Sequence, residues 1–310
     1  MTVSLVSKRV TVVGGANTDI VGRSIAPLVA FDSNPGHVRV SAGGVGRNVA
    51  ENLARLGARV TLVTAFGSDA YGRELESECR RVRIDTSPSL VCADLAGSVY
   101  VAVLDEQGDM ALAINDMRVL ERITPRMLQS RRAALDSAEM LVVDVNLPVE
   151  SIAWLVDNTS APLVFDLVST AKAPRVRSVL SAVAAVKCNA IEAAALLGAD
   201  APADRAGVEA LTDRIRREGA DRVFVTAGTW GSHYRSEDAS GWVAAPEVEI
   251  ANATGAGDAF TAGVVAGMLG GQNAARCAEL GSTMAALTLA SPDTVSAQVG
   301  PAVLREAVAE

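Results

Sequence analysis

The chain has 310 residues, enough for one large α/β domain. Apolar residues make up 49% of it and aromatic residues only 4%, so a core of Val, Leu, Ile and Ala is expected and intrinsic disorder is excluded. The net charge is −8 and the densest basic patch, Arg80-Arg81 with Arg83, is short, which argues against a nucleic-acid partner.

Cysteines, histidines and apolar runs exclude further classes of protein. The four cysteines are scattered and there are only two histidines, so neither a disulfide framework nor a zinc site is expected. No apolar stretch reaches the roughly 18 residues of a membrane span. Met1–Val13 is too short and too polar for a signal peptide. We therefore expect a cytoplasmic protein without a membrane partner.

The first regular elements lie around two glycine clusters. Val10–Val13 predicts a strand that ends at Gly14-Gly15. Gly43–Asn48 opens a helix with apolar residues on one face, and Gly57 closes it. Ala58–Thr64 is the next predicted strand, so this region forms a strand–helix–strand unit.

Two segments interrupt the strand–helix alternation. Residues 17–42 contain Gly and Pro between short alternating pieces and predict short strands and loops. Ser98–Leu104 and Met110–Ile114 predict a hairpin. We expect segments 17–42 and 97–117 to form a small β lid that projects from the main sheet.

The remainder of the chain alternates regularly. The predicted strands are Met140–Val145, Leu163–Asp166, Ala184–Lys187 and Arg222–Thr226, then an antiparallel pair at Trp230–Arg235 and Gly241–Ala245. The predicted helices lie near 148–157, 174–182, 190–197, 203–218, 258–270, 272–290 and 300–309. This alternation predicts an α/β fold, a single domain over 1–310 with a parallel sheet and helices on both faces.

The run Asn252–Asp258 carries the first chemical signal. It lies between the strand-like Val248–Ile250 and a helix predicted to begin near Asp258. Small residues let the backbone approach a ligand, and N–H groups at a helix start bind anions. A carboxylate there suits phosphoryl transfer, in which a base accepts the proton of the attacking hydroxyl. A Gly-rich turn with Asp258 as N-cap is the alternative.

Three further motifs each admit a functional and a structural interpretation. Asn17 and Asp19 follow the first strand and suit a polyol ligand, or form a turn. The cluster Gly43–Asn48 presents N–H groups and an amide to the same space, or allows tight packing. Asn189 and Glu192 share a helix face, where Glu192 could hold Mg²⁺ through water, or they form a capping box.

In this order the motifs resemble the PfkB, or ribokinase-like, carbohydrate kinase family along essentially the whole chain. The resemblance implies a ribokinase-like fold with the β lid over a sugar, ATP and Mg²⁺ as cofactors, Asp258 as catalytic base, and Gly255, Ala256 and Gly257 as anion hole. The resemblance also implies that Glu192 would hold Mg²⁺ through water. The implied ATP-binding residues are Asn189, Thr226, Gly228, Gly231, Gly255 and Gly257.

Within the family, four segments resemble the pseudouridine kinases as a group: Ser33–Gly36, Gly43–Asn48, Ala113–Met117, and Asp166–Ser169 followed by Lys172. The implied activity is ATP-dependent phosphorylation of pseudouridine; another PfkB-type ribose, nucleoside or sugar kinase is the alternative. The implied substrate-binding residues are Asn17, Asp19, Ser33, Asn34, Gly43, Gly44, Arg47, Asn48, Asn115, Asp116 and Asp258.

The base of pseudouridine has a free N1–H donor that uridine lacks, so recognition needs an acceptor in the lid. Asn34, Asn115 and Asp116 are the polar candidates, although Asn115-Asp116 could equally end the hairpin strand. Asn252 stands where many family members carry Asp near a monovalent-cation site, which leaves potassium dependence open. Lids of this family often pair between subunits, so the resemblance implies a homodimer.

Two other classes of protein remain as alternatives. A non-catalytic nucleoside-binding protein could use the same fold, but the presence of both Asp258 and Glu192 argues against it. A nicotinamide-dependent oxidoreductase carries its glycine motif in the first strand–helix turn. Here the glycines come late, and no Walker Gly-Lys-Ser/Thr occurs.

Overall fold

The computed structural model describes residues 3–306. Among them the strands are β1 Arg9–Val13, β2 Asn17–Ser24, β3 Gly36–Gly43, β4 Arg59–Val63, β5 Ala65–Gly67, β6 Leu90–Cys92, β7 Val99–Leu104, β8 Met110–Asp116, β9 Met140–Asp144, β10 Leu163–Asp166, β11 Ala185–Asn189, β12 Val223–Thr226, β13 Ser232–Arg235 and β14 Ser240–Val243. The α-helices are α1 Val45–Arg55, α2 Ala70–Arg81, α3 Pro125–Gln129, α4 Arg132–Asp136, α5 Val149–Asn158, α6 Ala190–Leu197, α7 Arg205–Arg217, α8 Ala256–Leu269, α9 Ala274–Leu289 and α10 Pro301–Glu306.

The larger sheet has eight strands in the order β14-β13-β12-β11-β10-β9-β1-β4. Neighbouring strands from β4 through β12 run parallel, and β13 and β14 extend one edge antiparallel. Val13 and Phe165 pack into a core with α5, α6 and α7, whereas Val12 and Phe224 pack into a second core with α1, α8 and α9. Helices therefore cover both faces of the sheet, as the continuous aliphatic runs predicted.

The smaller sheet, here called the lid sheet, has four strands in the order β3-β2-β7-β8. Its strand β2 begins at Asn17, shortly after β1 ends at Val13, so the lid sheet leaves the main sheet at the carboxyl end of β1. Most of β3 and β8 is exposed to solvent. Its strands come from the two segments that interrupt the alternation in the sequence, and the α/β fold class with a small second sheet is as predicted.

The loop before α8 differs from the sequence-based expectation. Val248–Ile250 is not a strand, and its apolar side chains instead line a cavity. The alternation of apolar residues that favoured a strand therefore has another cause. The helix that follows begins at Ala256, two residues earlier than expected, with Gly255 as its N-cap.

Three smaller differences concern short elements. Ala173–Ala182 is a 3-10 helix with Pro174 in its first turn, rather than an α-helix. The ribbon of β5 and β6, whose strands are only three residues long, gave no recognisable periodicity. Of the helix predicted at 300–309, Pro301–Glu306 is helical and 307–309 lie outside the described residues. Within residues 3–306 no helix combines the length and the apolar character needed to span a membrane.

Candidate active site

The candidate active site lies at the carboxyl ends of the parallel strands, where α1, α6 and α8 begin. Gly255 caps α8 with a φ of 86°, a left-handed conformation that favours glycine. A Cβ at this position would also overlap the carbonyl oxygen of Thr294. The loop containing Thr294 therefore packs directly against the first turn of α8, and the N–H groups of that turn are unpaired within the helix.

Asp258 lies in the first turn of α8 and is not its N-cap. Its Oδ2 accepts a hydrogen bond of 2.8 Å from Asn48 Nδ2, which comes from the first turn of α1. Burial, followed by the negative charge of Asp166, raises the pKa of Asp258 to about 7, although Asn48 and Lys187 oppose the shift. A carboxylate of this basicity is suited to accept a proton near neutral pH.

Asp144 holds the two glycine clusters together, a role that the sequence did not indicate. It is buried at the end of β9, and its Oδ2 accepts hydrogen bonds of 2.7 Å from the N–H groups of both Gly15 and Gly46. A Cβ at Gly46 would lie 3.0 Å from this oxygen, and one at Gly14 would overlap it. Glycine is required because the backbone approaches the carboxylate so closely.

Asn17, Asp19 and Gly43 lie together at the base of the lid sheet. Asn17 Nδ2 donates to Asp19 Oδ1, and a Cβ at Gly43 would overlap Asp19 Oδ2. Gly44 has a φ of 96° and lies against the backbone of Ala16. Burial raises the pKa of Asp19 to about 6, while the Asn17 hydrogen bond and the charge of Arg47 oppose the shift. These predicted substrate contacts are thus adjacent to one another.

Arg47 is buried, and its side chain contacts Asn48. Its guanidinium forms an ion pair with Glu51 and donates to Asn48 Oδ1 at 3.1 Å. The same two charged side chains line a separate cavity of about 390 Å³ between β3, α1 and α2. Arg47 therefore orients the amide that contacts Asp258.

Asn189 and Glu192 form the capping box of α6 that the sequence allowed as an alternative. Asn189 Oδ1 accepts from the Glu192 N–H at 2.8 Å, and Glu192 Oε2 accepts from the Asn189 N–H at 2.8 Å. Burial raises the pKa of Glu192, which the charge of Lys187 opposes. Within residues 3–306 no cluster of three or more His, Cys, Asp or Glu side chains could hold a metal ion. A single carboxylate with water and phosphate oxygens is, however, a donor set that Mg²⁺ accepts, so Glu192 fits this metal.

An apolar cavity of about 330 Å³ lies between the end of β12 and the helices α8 and α9. Thr226, Gly228, Gly231 and Gly257, all predicted to bind ATP, lie on its wall. The wall also includes Val248, Ile250, Phe260 and Leu289. Such a cavity suits a flat heteroaromatic group. Asn189 and Gly255 are not part of the wall and lie outside this cavity.

The residues predicted to recognise a base are not all together. Asn115 and Asp116 line a third, wide cavity of about 910 Å³, opposite Asn146 and Lys172, whose side chains are hydrogen-bonded to each other. Both oxygens of Asp116 accept from Arg118, which lowers the pKa of Asp116 to about 2.

Ser33 and Asn34 lie apart from that cavity, in the exposed loop between β2 and β3. The Asn34 side chain is hydrogen-bonded to the backbone of Val29 at 2.8 and 3.0 Å. Binding of a base by the Asn34 amide would therefore compete with these hydrogen bonds.

The sequence interpretation also missed an ion pair below α8. Lys187, near the end of β11, lies with its Nζ 3.2 Å from Asp166 Oδ2 at the end of β10. Thr261 of α8 donates to the same oxygen at 2.6 Å. The available signal was a lysine within an otherwise apolar strand, two positions before Asn189.

Comparison with known proteins agrees with this geometry. The family model described as pfkB family carbohydrate kinase matches residues 7–299, and the chain belongs to this family. It is therefore a phosphotransferase with an alcohol group as acceptor, and the family uses ATP. A pseudouridine kinase of Escherichia coli (strain K12) is 36% identical over 257 residues, covering 82% of each protein.

Two solved structures show the same fold. A putative sugar kinase from Clostridium perfringens aligns with a TM-score of 0.83 at 28% identity, over 97% of this chain and 96% of that chain. A ribokinase from Arabidopsis thaliana, complexed with ribose and ATP, aligns with a TM-score of 0.85 at 18% identity, over 98% of this chain and 99% of that chain. The fold is therefore ribokinase-like.

Proposed function

We propose that this kinase transfers the γ-phosphate of ATP to the 5′-hydroxyl of pseudouridine, giving ADP and pseudouridine 5′-phosphate. The observation that carries the chemistry is Asp258, a carboxylate with a pKa of about 7 in the first turn of α8, hydrogen-bonded to Asn48. The choice of substrate is supported by the 36% identity to the pseudouridine kinase of Escherichia coli.

In the proposed reaction, Asp19 and Asn48 hold ribose hydroxyls and place the 5′-hydroxyl in line with the γ-phosphorus. Asp258 accepts the hydroxyl proton as the new O–P bond forms and the bond to the β–γ bridging oxygen breaks. The N–H groups of Gly255–Gly257 donate to the transferred group. Mg²⁺, held through water by Glu192, would neutralise charge on the phosphates when bound.

Base recognition is assigned to the cavity that Asn115, Asp116 and Lys172 line. A carboxylate or amide oxygen there would accept the N1–H of pseudouridine. Both oxygens of Asp116 already accept from Arg118, so Asn115 is the acceptor with fewer competing partners among these side chains.

An ADP-release assay with pseudouridine, uridine, adenosine, ribose and fructose 6-phosphate tests the substrate. We expect kcat/KM to be highest for pseudouridine and at least about tenfold lower for uridine, since an acceptor that the bound base covers but leaves unpaired disfavours the analogue. Asn115→Ala should remove this discrimination between pseudouridine and uridine. Asp116→Ala, at the adjacent candidate acceptor, is measured in the same way for comparison. Faster turnover of ribose or another nucleoside would replace pseudouridine as the substrate.

Potassium dependence is expected to be weak. Asn252, an uncharged amide, accepts from the Thr254 N–H at 2.9 Å and donates to the carbonyl oxygen of Pro292 at 3.3 Å. A neutral group attracts a monovalent cation less strongly than a carboxylate does. Turnover in potassium and sodium buffers of equal ionic strength should agree within about twofold by this argument.

We further propose that the protein forms a homodimer through the lid sheet. Alternation and strand register place an apolar set on one face: Ile20, Val38, Val40, Val101, Val103, Leu112 and Ile114. Val38, Val40, Leu112 and Ile114 are each more than half exposed. An apolar face of this kind is typical of an interface between subunits.

A further inference from the structure

Lys187 is buried directly beside the first turn of α8. A Cβ added to Gly257 would lie 2.8 Å from Lys187 Nζ, so glycine at 257 leaves the space that the ammonium group occupies. Gly257 is also part of the proposed anion hole. The lysine therefore lies against the backbone that would contact the transferred phosphoryl group. A side chain at position 257 would exclude the ammonium group from this place.

The ammonium group is held by Asp166, whose own carboxylate is fixed by two further hydrogen bonds. Asp166 Oδ2 lies 3.2 Å from Lys187 Nζ and also accepts from Thr261 Oγ1 at 2.6 Å. Asp166 Oδ1 accepts from the Val168 N–H at 3.0 Å. Asp166 thus links β10, β11 and α8, and a cation held in this way needs no reorganisation when a phosphate arrives.

Acidic side chains outnumber basic ones around Lys187. Asp166, Glu192 and Asp258 all act on its ammonium group, so one cation faces three carboxylates. The chain has only two other lysines, and Lys8 pairs with Glu139 at the surface. An incoming polyphosphate requires positive charge, and Lys187 is the lysine that lies against the α8 turn.

We propose that Lys187 is a catalytic residue whose ammonium group contacts the phosphoryl group in the anion hole, with Asp166 and Thr261 as positioning residues. The inference deepens the phosphate end of the proposed site and does not depend on which nucleoside is the acceptor. Lys187 would stabilise negative charge on the transferred oxygens, while Asp258 accepts the proton of the attacking hydroxyl.

The test compares Lys187→Met with Lys8→Met, the same substitution at a surface lysine. For Lys187→Met we expect kcat to fall by about 10²-fold or more. The affinity for the β,γ-imido analogue of ATP, measured by calorimetry, should weaken by at least about tenfold, while that for AMP stays within about twofold. The KM for the acceptor should stay within about threefold, and Lys8→Met should match wild type in every measurement.

A second variant separates catalysis from folding. Lys187→Met alone leaves Asp166 unpaired in the interior and is expected to lower Tm, whereas Asp166→Asn/Lys187→Met removes both charges and should recover Tm. We expect kcat to remain low in the double variant. If its kcat lies within threefold of wild type, or if both variants keep the wild-type ratio of imido-ATP to AMP affinity, Lys187 is purely structural and the proposal is wrong.

The same measurements separate this proposal from that of the substrate. A wild-type enzyme that phosphorylates no nucleoside, but whose imido-ATP affinity depends on Lys187, would refute pseudouridine as acceptor and support Lys187. Turnover of pseudouridine by the wild type, with an unchanged ratio of imido-ATP to AMP affinity in Lys187→Met, would support pseudouridine as acceptor and refute the role of Lys187.

Discussion

At the scale of single residues, Asp258 is the group on which the proposed chemistry depends. Burial raises its pKa first and Asp166 raises it further, whereas Asn48 and Lys187 act in the opposite direction. The charge of Asp144 also raises it, and the result, a pKa of about 7, is the balance of these five influences. Removing any one of the neighbours should therefore move the pH dependence of the enzyme as well as its rate.

Asp258→Asn is expected to lower kcat by about 10²-fold or more, because the amide cannot accept the hydroxyl proton. Binding of the acceptor should change by less than about threefold, since an amide oxygen can still accept from Asn48. The kcat of the wild type should fall as pH drops below about 7, as the base becomes protonated. A variant within threefold of wild type would remove Asp258 from the role of base.

The same substitution should change stability with a defined dependence on pH. The folded pKa of about 7 is above the reference value of 3.8, so the folded state binds a proton more tightly than the unfolded state. The stability that this contributes is fully present below about pH 4 and is lost as pH rises through 7. Thermal unfolding should therefore show Asp258→Asn to be more stable than wild type at pH 8.

The difference in Tm between Asp258→Asn and wild type should shrink as pH falls towards 5. Asp238→Asn, at an exposed carboxylate, is the matched control and should show no such dependence. An Asp258→Asn variant that is less stable than wild type at pH 8 would show that the ionised carboxylate is stabilised overall.

At the scale of elements, the first turn of α8 depends on a glycine that no other residue can replace at equal cost. Gly255 and Gly271 both have positive φ, at 86° and 69°, so alanine strains the backbone at either position. Only at Gly255 does an added Cβ meet another atom, the Thr294 carbonyl oxygen; around Gly271 there is open space. The two positions therefore separate strain from contact.

Gly271→Ala is expected to cost about 1–2 kcal/mol of unfolding free energy with kcat unchanged, since it strains only its own turn. Gly255→Ala should cost more and lower kcat by at least about tenfold, because the α8 turn must shift away from Thr294. Denaturant unfolding and turnover measure both effects. Equal losses in the two variants would show that the Thr294 contact does not position the turn.

Local sequence patterns predicted which segments are helices and strands, but they did not predict which side chains contact one another in the site. Aliphatic runs such as Leu163–Asp166 predicted strands because both faces of the sheet are buried. In Val248–Ile250 apolar residues alternate with Glu249, which also favoured a strand, but the apolar side chains line a cavity. Asp144 and the pair Asp166–Lys187 were missed because their function depends on backbone and side-chain atoms distant in sequence, which no local period encodes.

The order of motifs along the chain made Asp258 and Asn48 candidates, and their hydrogen bond brings them together. Arg47 was expected to contact the substrate, and in the structure its guanidinium forms an ion pair with Glu51. A capping box could be recognised at Asn189 and Glu192 from spacing alone. Whether such a motif also binds a ligand depends on what surrounds it in space, and the sequence of one element does not contain that information.

At the scale of the whole molecule, the apolar face of the lid sheet should control assembly. Val40→Glu places a charge on this face, and Val91→Glu places the same charge at an exposed valine of β6. We expect wild type and Val91→Glu to sediment as dimers and Val40→Glu as a monomer, since a buried unpaired charge opposes association. A monomeric wild type at micromolar concentration would contradict the homodimer.

The hydrogen bond between Asn48 and Asp258 has a consequence for how the protein becomes active during synthesis. It spans 210 residues of sequence. A nascent chain in which α8 has not yet been synthesised already contains Asp19 and Asn48, which are proposed to bind the acceptor. It lacks the base Asp258, the turn at Gly255 and the part of the apolar cavity's wall that α8 forms. We expect unfinished chains that lack α8 not to hydrolyse ATP, because the proposed base and anion hole both lie at its first turn.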